Sequence, residues 1–432
     1  MRKFVIMDPV LSRNANEVFL ALCKTMPQDY VLVFSIPPGK KNSWMSALKD
    51  KIGLPDQFVH KIVFVDEGHL ECIRTGNSEN DVFYFSNIES NLRQIERIKE
   101  MKGTILIKLP FAVNNDYLSI VHILKNIPND VRFIDFYNMK CVRSIINDFF
   151  RKDKFYNFLL SREYIEAIII QDLSTERRTK YGIVFEIMQH FFINNLISVT
   201  KDNSDVTKDV CPHYVQRMER LKLLRNLRTI KSTWFRCYVY HRIYDEFVRT
   251  SDRVLLRDTY TYLSMQIYNT RWFGVRITFN AGRGFRRVVD RTVIKFTKLA
   301  FKRLFARYYY REIYNEEREE IRYISLIFQD FPEPRVYLKI EFRRSIRRLI
   351  IMNEDDIRDW LKKQRNGMSG HEYFFHCFFN KQDVSYVRLE EVEEIYRIFW
   401  FFYNKLYGYG VYAENAKAPN LLYQLANDNF KD

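Results

Sequence analysis

Short apolar runs alternate with helix-like periodicities along the first 175 residues. Tyr30-Val-Leu-Val-Phe34, Ile62-Val-Phe-Val65, Val82-Phe-Tyr-Phe85, Thr104–Leu109, Val131–Phe136 and Tyr164–Ile170 each read as a strand. They are too short for helices and rich in β-branched and aromatic residues. Between them, Asn14–Thr25 places Ala15, Val18, Phe19 and Leu22 on one helical face. Further helices are expected from about Asn42, over Asn91–Met101 and over Tyr117–Lys125. Strands alternating with helices imply an α/β fold with a mostly parallel, doubly wound sheet.

The pattern changes beyond this region. Residues 176–210 read as a hinge, with a helical stretch at Tyr181–Ile197 and a polar loop at Thr200–Asp209. Residues 211–350 read as a basic, mostly helical region. Within it, Arg291–Tyr310 is expected to form a cationic amphipathic helix. Ile294, Leu299, Phe301 and Phe305 would face inward, and Lys295, Lys298, Lys302 and Arg303 would face an anion. Residues 351–432 are expected to be helical, with Glu354–Lys363 and Leu389–Tyr407 as the main elements.

Charge sharpens the middle region. The whole chain carries a formal +16 over 432 residues. Residues 211–350 hold 31 Lys/Arg against 14 Asp/Glu, a difference of 31 − 14 = +17. Arginine there is interleaved with aromatics, as in Arg271-Trp-Phe273, Phe285-Arg-Arg287 and Arg307-Tyr-Tyr-Tyr-Arg311. Arginine pairs with phosphates and aromatics stack on bases, so RNA is the expected partner. Arg271, Arg283, Arg286, Arg287, Lys298, Lys302 and Arg303 are the candidate RNA contacts. A solvated helical face with an aromatic core is the plainer alternative. The six cysteines are scattered without metal-ligand spacing, which implies reduced thiols, an intracellular setting and no metal centre. No stretch approaches the length of an apolar membrane span.

The chemistry centres on Lys108. It closes an apolar strand and is followed by Pro110, which ends the ladder. That places it near the carboxyl edge of a sheet, where open α/β folds hold ligands. The turn Ser35-Ile-Pro-Pro-Gly39 leads from strand to helix, and Asp66 ends the next strand.

In order, Ser12-Arg13-Asn14-Ala15, the Ser35–Gly39 turn, Ser86-Asn87, Lys108 and Ser161-Arg162-Glu163 resemble the FtsJ-type RNA ribose 2′-O-methyltransferases. Poxvirus- and reovirus-type cap methyltransferases share that order. The resemblance implies S-adenosylmethionine bound near Ser35, Pro38, Gly39 and Asp66. It implies a catalytic group of Lys108, Glu163, Asn87 and Glu17, in which Asn87 and Glu17 stand where the family has an aspartate and a lysine. Three readings stay open: an RNA cap methyltransferase; an inactive scaffold within a ribonucleoprotein or polymerase complex of the cytoplasm, a viral factory, a virion or an organelle; or a basic structural component of a ribonucleoprotein particle with no cofactor.

Overall fold

Phe4, Val5, Ile6 and Met7, each fully buried, make the chain begin in a strand. This strand, β1 (Arg2–Ile6), opens the series α1 (Arg13–Thr25), β2 (Tyr30–Ile36), α2 (Lys41–Ile52), β3 (Ile62–Asp66), β4 (Val82–Phe85), β5 (Thr104–Lys108), α3 (Tyr117–Lys125) and β6 (Asp130–Ile134). Then come β7 (Ile165–Leu173), α4 (Pro212–Leu227), β8 (Arg236–Ile243), β9 (Leu256–Met265), β10 (Arg276–Gly282), β11 (Val289–Phe296) and α5 (Lys298–Ala300). The chain continues through β12 (Ile321–Phe331), β13 (Arg335–Phe342), β14 (Ile346–Met352), α6 (Glu354–Gln364), α7 (Gly370–Phe379), α8 (Leu389–Tyr403) and β15 (Tyr409–Ala413).

This computed structural model describes residues 2–7, 13–52, 62–66, 81–85, 103–108, 117–127, 130–134, 145–146, 149–150, 159–175, 212–227, 236–243, 256–283, 285, 288–301, 321–381, 387–403 and 409–413. The chain divides into two compact units. One is Met1–Met139 with Lys362–Glu393, and the other is Lys140–Leu361 with Glu394–Asp432.

The first unit is built on a six-stranded sheet of order β3-β2-β1-β4-β5-β6. Every neighbouring pair is parallel. Phe4, Ile6, Phe34, Tyr84, Leu106 and Ile134 pack in one cluster with Val18, Phe19 and Leu22 of α1 and Phe374 and Phe375 of α7. The intervening residues Val5, Val33, Phe83, Phe85, Ile105 and Ile107 are buried as well. Both faces are therefore covered, and the strands read as unbroken apolar runs. Gly103 lets β5 lie against the start of β4. Its φ is +144°, and a Cβ there would meet the Asp81 carbonyl oxygen at 2.5 Å. The same carbonyl accepts from the Thr104 amide at 2.9 Å.

Helix α7 returns to this unit late in the sequence. Ser369 caps it in a reciprocal capping box with Glu372, which satisfies two amides at the helix start. Glu372 also takes Lys24 of α1 at 2.6 Å. Arg388 reaches back to Asp130 of β6 at 2.6 Å, and Phe133 and Val387 exchange backbone hydrogen bonds.

The second unit is β-rich. Its nine-stranded sheet runs β14-β13-β12-β11-β7-β10-β9-β8-β15. β7 pairs parallel with β10, and β15 with β8; the other neighbours are antiparallel. One face is apolar, with Ile168, Ile170, Phe279, Ile294, Leu326, Phe328 and Leu338 buried. Phe149 and Phe150 set their rings against Phe328 there, at 5.3 and 5.6 Å. The other face carries a row of polar side chains in register: Asn280, Gln171, Arg291 and Gln329.

The mostly helical reading of residues 211–350 is overturned by this sheet. The run from Arg291 opens as β11, because Val289, Thr292, Val293 and Ile294 are β-branched and find strand partners on both sides. Lys295, expected to face an anion, is buried; it pairs with Glu166 at 3.4 Å and lies 3.6 Å from the Tyr323 ring centre.

Candidate functional site

Strand order locates the crevice. In the first unit β1 has β2 on one side and β4 on the other, so the connections leave β1 and β4 in opposite directions. Helix dipoles and open amides gather at such a switch point, outside the carboxyl ends of the strands, and ligands bind there. The order β3-β2-β1-β4-β5-β6 is the one that dinucleotide-binding folds build from two mononucleotide halves. Met7, just past β1, donates its amide to the Tyr84 carbonyl of β4 at 2.9 Å, which ties the two strand ends together.

Helix α1 starts at Arg13, one turn beyond β1. Its N-terminus offers unpaired amides and the positive end of its dipole to a phosphate. Asn16 Oδ1, in its first turn, is buried with no hydrogen-bond partner among the described residues. The connecting segment Met7-Asp8-Pro9-Val10-Leu11-Ser12 contains no glycine. In dinucleotide-binding folds, glycines at this turn let the pyrophosphate approach the backbone closely. Residues 8–12 lie outside the described residues.

The end of β2 is where dinucleotide folds read the adenosine ribose. Ser35 is fully buried there, and its hydroxyl has no partner among the described residues. Pro37, Pro38, Gly39, Lys40 and Lys41 follow, all exposed. Gly39 has φ +75°, and nothing lies within 4 Å of where its Cβ would be. The Lys40 carbonyl accepts from the Ser43 hydroxyl at 2.8 Å and the Trp44 amide at 3.0 Å, which fixes the turn. Asp66 ends β3 beside Ile36 of β2. Lys40 and Lys41, four and five residues past the end of β2, are cationic, and a cation near that strand end suits a ribose bearing a 2′-phosphate.

A third group sits around Lys108, the last residue of β5, which is half-buried. Glu17, an exposed residue of α1, and His371, the second residue of α7, face each other with Oε2 3.8 Å from Nδ1. Burial holds the His371 imidazole below its ordinary value; Glu17 and Glu372 oppose that, and Lys108 and Arg365 add to it. The fold thus brings together Glu17 and Lys108, two of the candidates singled out from sequence. His371 was not among those candidates. The links between β5, α1 and α7 that join these residues are not local in sequence.

The remaining candidates scatter. Glu163 is exposed in the turn before β7, in the second unit, and its carbonyl accepts from the Thr297 hydroxyl at 3.0 Å. Arg271 is tied to its own turn: its Nε donates to the Leu160 carbonyl at 2.7 Å. Arg283 pairs with buried Asp172 at 3.2 Å. Both arginines are thus held by neighbours within the second unit. Lys298 is exposed at the start of α5. Asn87, Arg286, Arg287, Lys302 and Arg303 lie outside the described residues. No helix among the described residues is long and apolar enough to cross a membrane.

No family model matches the chain. It is 23% identical over 284 residues to a glucose-6-phosphate 1-dehydrogenase of Encephalitozoon cuniculi, a match taking in 62% of each chain; the chain thus spans 62% of the length of that curated relative. Two solved structures share its fold over 99% of its length and 97% of theirs. One is a glucose-6-phosphate dehydrogenase in complex with its substrate glucose-6-phosphate, at TM-score 0.71 and 14% identity. The other is a glucose-6-phosphate 1-dehydrogenase from Mycobacterium avium, at TM-score 0.72 and 13% identity. These likenesses overturn the resemblance to FtsJ-type methyltransferases. With it go S-adenosylmethionine, cap methylation and an RNA-directed role, and nothing supports an RNA or polymerase partner. The resemblance misled because it took β2 for the first strand. Moving β1 to Arg2–Ile6 shifts every later piece by one strand–helix unit, so the Ser35–Gly39 turn follows the second strand rather than the first. The fold that these neighbours share with the chain is α/β, with a parallel-sheet unit and a β-rich one.

Proposed function

We propose that this chain is a pyridine-nucleotide-dependent oxidoreductase acting on a sugar phosphate of the glucose 6-phosphate type. The observation that carries the reading is the six-strand order with its switch point between β1 and β4. The names of the relatives supply the substrate class. The residues present fit a nucleotide at two places: the N-terminus of α1 for the pyrophosphate, and Lys40 and Lys41 for a ribose 2′-phosphate. NADP is therefore the expected form. Bound there, it would supply the hydride acceptor for oxidation of the substrate alcohol. The chain's part is to bind and orient both partners and to receive the hydroxyl proton.

The test is to mix the purified chain with glucose 6-phosphate and NADP or NAD and follow the ultraviolet absorbance of the reduced nicotinamide. The reading predicts reduction that depends on the sugar phosphate and is faster with NADP. The glycine-free turn between β1 and α1 favours a second reading, a dehydrogenase-like fold that binds no nucleotide. Absence of both binding and turnover would select it.

A further inference from the structure

Between β2 and α2 the chain runs exposed for seven residues, Pro37 to Ser43. Ser43 is the third residue of α2, and Lys40 and Lys41 stand three and two positions before it. Its hydroxyl donates to the Lys40 carbonyl at 2.8 Å, which sets the oxygen beside the Lys40 backbone. No acidic residue occupies the first turn of α2. The neighbouring serines are placed differently. Ser35 is fully buried at the end of β2. Ser46 donates to the Asp50 carboxylate at 2.7 Å, and that carboxylate would repel an added phosphate. We propose that Ser43 is a phosphorylation site, and that its phosphate takes Lys40 and Lys41 away from the 2′-phosphate of NADP.

The inference rests on the nucleotide reading above and adds a control to it. Kinases choose substrates by charge pattern, and two lysines just before an exposed serine suit a protein kinase that selects basic segments. That kinase holds a nucleoside triphosphate, and Ser43 Oγ attacks its γ-phosphorus. The new O–P bond forms as the bond to the departing nucleoside diphosphate breaks, and the hydroxyl proton passes to the kinase's catalytic aspartate. The product brings a charge of about −1.5 to −2 and three acceptor oxygens to the start of α2. Negative charge is favoured in the first turn of a helix, and this turn has none beforehand. The turn survives loss of the hydroxyl hydrogen, because the Lys40 carbonyl still accepts from the Trp44 amide at 3.0 Å. The Lys40 and Lys41 ammoniums are drawn to the phosphate beside them. NADP then meets a phosphate where it had met two cations. NAD has no 2′-phosphate and loses little.

The test treats the purified chain with ATP and a serine kinase that selects basic residues two and three positions before the acceptor. Peptide mass spectrometry then reads which serine carries the phosphate. Ser43 is the expected position, and Ser43→Ala is expected to remove that signal. Treated and untreated chains are next titrated calorimetrically with NADP and with NAD. Phosphorylation is expected to raise the NADP dissociation constant about tenfold at low salt, and that of NAD by less than about threefold. Phosphatase treatment is expected to restore the NADP value. Ser43→Glu, which needs no kinase, is expected to weaken NADP binding in the same sense by a smaller factor. If the untreated chain binds and reduces NADP but Ser43 takes no phosphate, the inference falls and the proposed function stands. The same holds if phosphorylated chain binds NADP equally well, or if NADP and NAD weaken alike. An untreated chain that binds neither nucleotide would overturn both.

Discussion

Replacing Lys40 and Lys41 by alanine tests the nucleotide site at its most selective point. Both follow β2, and both are exposed on the turn that Gly39 opens. A 2′-phosphate about 4 Å from an ammonium interacts by about 1 kcal/mol in water and about 4 kcal/mol at an effective dielectric constant near 20. Exposure puts these lysines near the lower figure, so losing both costs about 2 kcal/mol at low salt. That is about 30-fold in the NADP dissociation constant. NAD lacks the phosphate, so its affinity should change by less than about threefold. Calorimetric titration of wild type and the double variant with each nucleotide, at two salt concentrations, reads this directly. The NADP loss should shrink as salt rises, because exposed charges are screened. Equal weakening of NADP and NAD, or no change in either, would refute the placement of the 2′-phosphate.

Gly103→Ala should destabilise the first unit by about 1–3 kcal/mol, since its φ of +144° is closed to other residues and the new Cβ would meet the Asp81 carbonyl oxygen at 2.5 Å; urea denaturation measures it. Phe34→Ala removes a fully buried ring stacked 5.7 Å from Phe64 and set edge-on 5.4 Å from Phe19, and should cost about 3–5 kcal/mol by the same measurement. Asp130 should contribute to acid sensitivity. Burial alone would raise its carboxyl, but Arg132 and Arg388 outweigh this and hold it below the ordinary range. Its stabilisation is present above the unfolded value of about 3.9 and is lost as pH falls through the lower folded value. Asp130→Asn should thus be less stable than wild type at neutral pH, with the gap closing in acid. His371 has the same pH sense for another reason. Its folded pKa is lowered, chiefly by burial, so the unfolded chain binds the proton first. Stability should fall as pH drops below about 6.5, and His371→Asn should flatten that slope in urea midpoints taken across pH.

Much of the first sheet was legible because both its faces are buried. Val82–Phe85 and Thr104–Lys108 announce themselves as unbroken apolar runs flanked by polar turns. The opening strand was harder to see, because Arg2 and Lys3 precede its apolar residues and only Phe4–Met7 carries the signal. Missing it displaced the whole reading by one unit. The second sheet hid for a different reason. Its strands carry polar and charged residues inside: buried Gln171, Asn280, Lys295 and Gln329 sit on one face with half-buried Arg291. Lys295 and Lys298, three apart, then imitate the charged stripe of a helix. Burial in register with Gln171 lowers the Arg291 guanidinium, with Tyr337 opposing, and its Nε donates to Gln171 at 2.8 Å. The basic excess of residues 211–350 therefore reports in part on the inside of a sheet. The grouping of Glu17, Lys108 and His371 depends on contacts across more than 250 residues of chain, which no local spacing reveals. Lys108 could still be placed at the carboxyl edge from sequence, since Pro110 ends the ladder just after it.

The most direct measurement is reduction of NADP by glucose 6-phosphate with the purified chain, read by the absorbance of the reduced nicotinamide. The account predicts turnover that requires the sugar phosphate and prefers NADP over NAD. No turnover, together with no calorimetric binding of either nucleotide, would contradict it and leave a dehydrogenase fold without its chemistry.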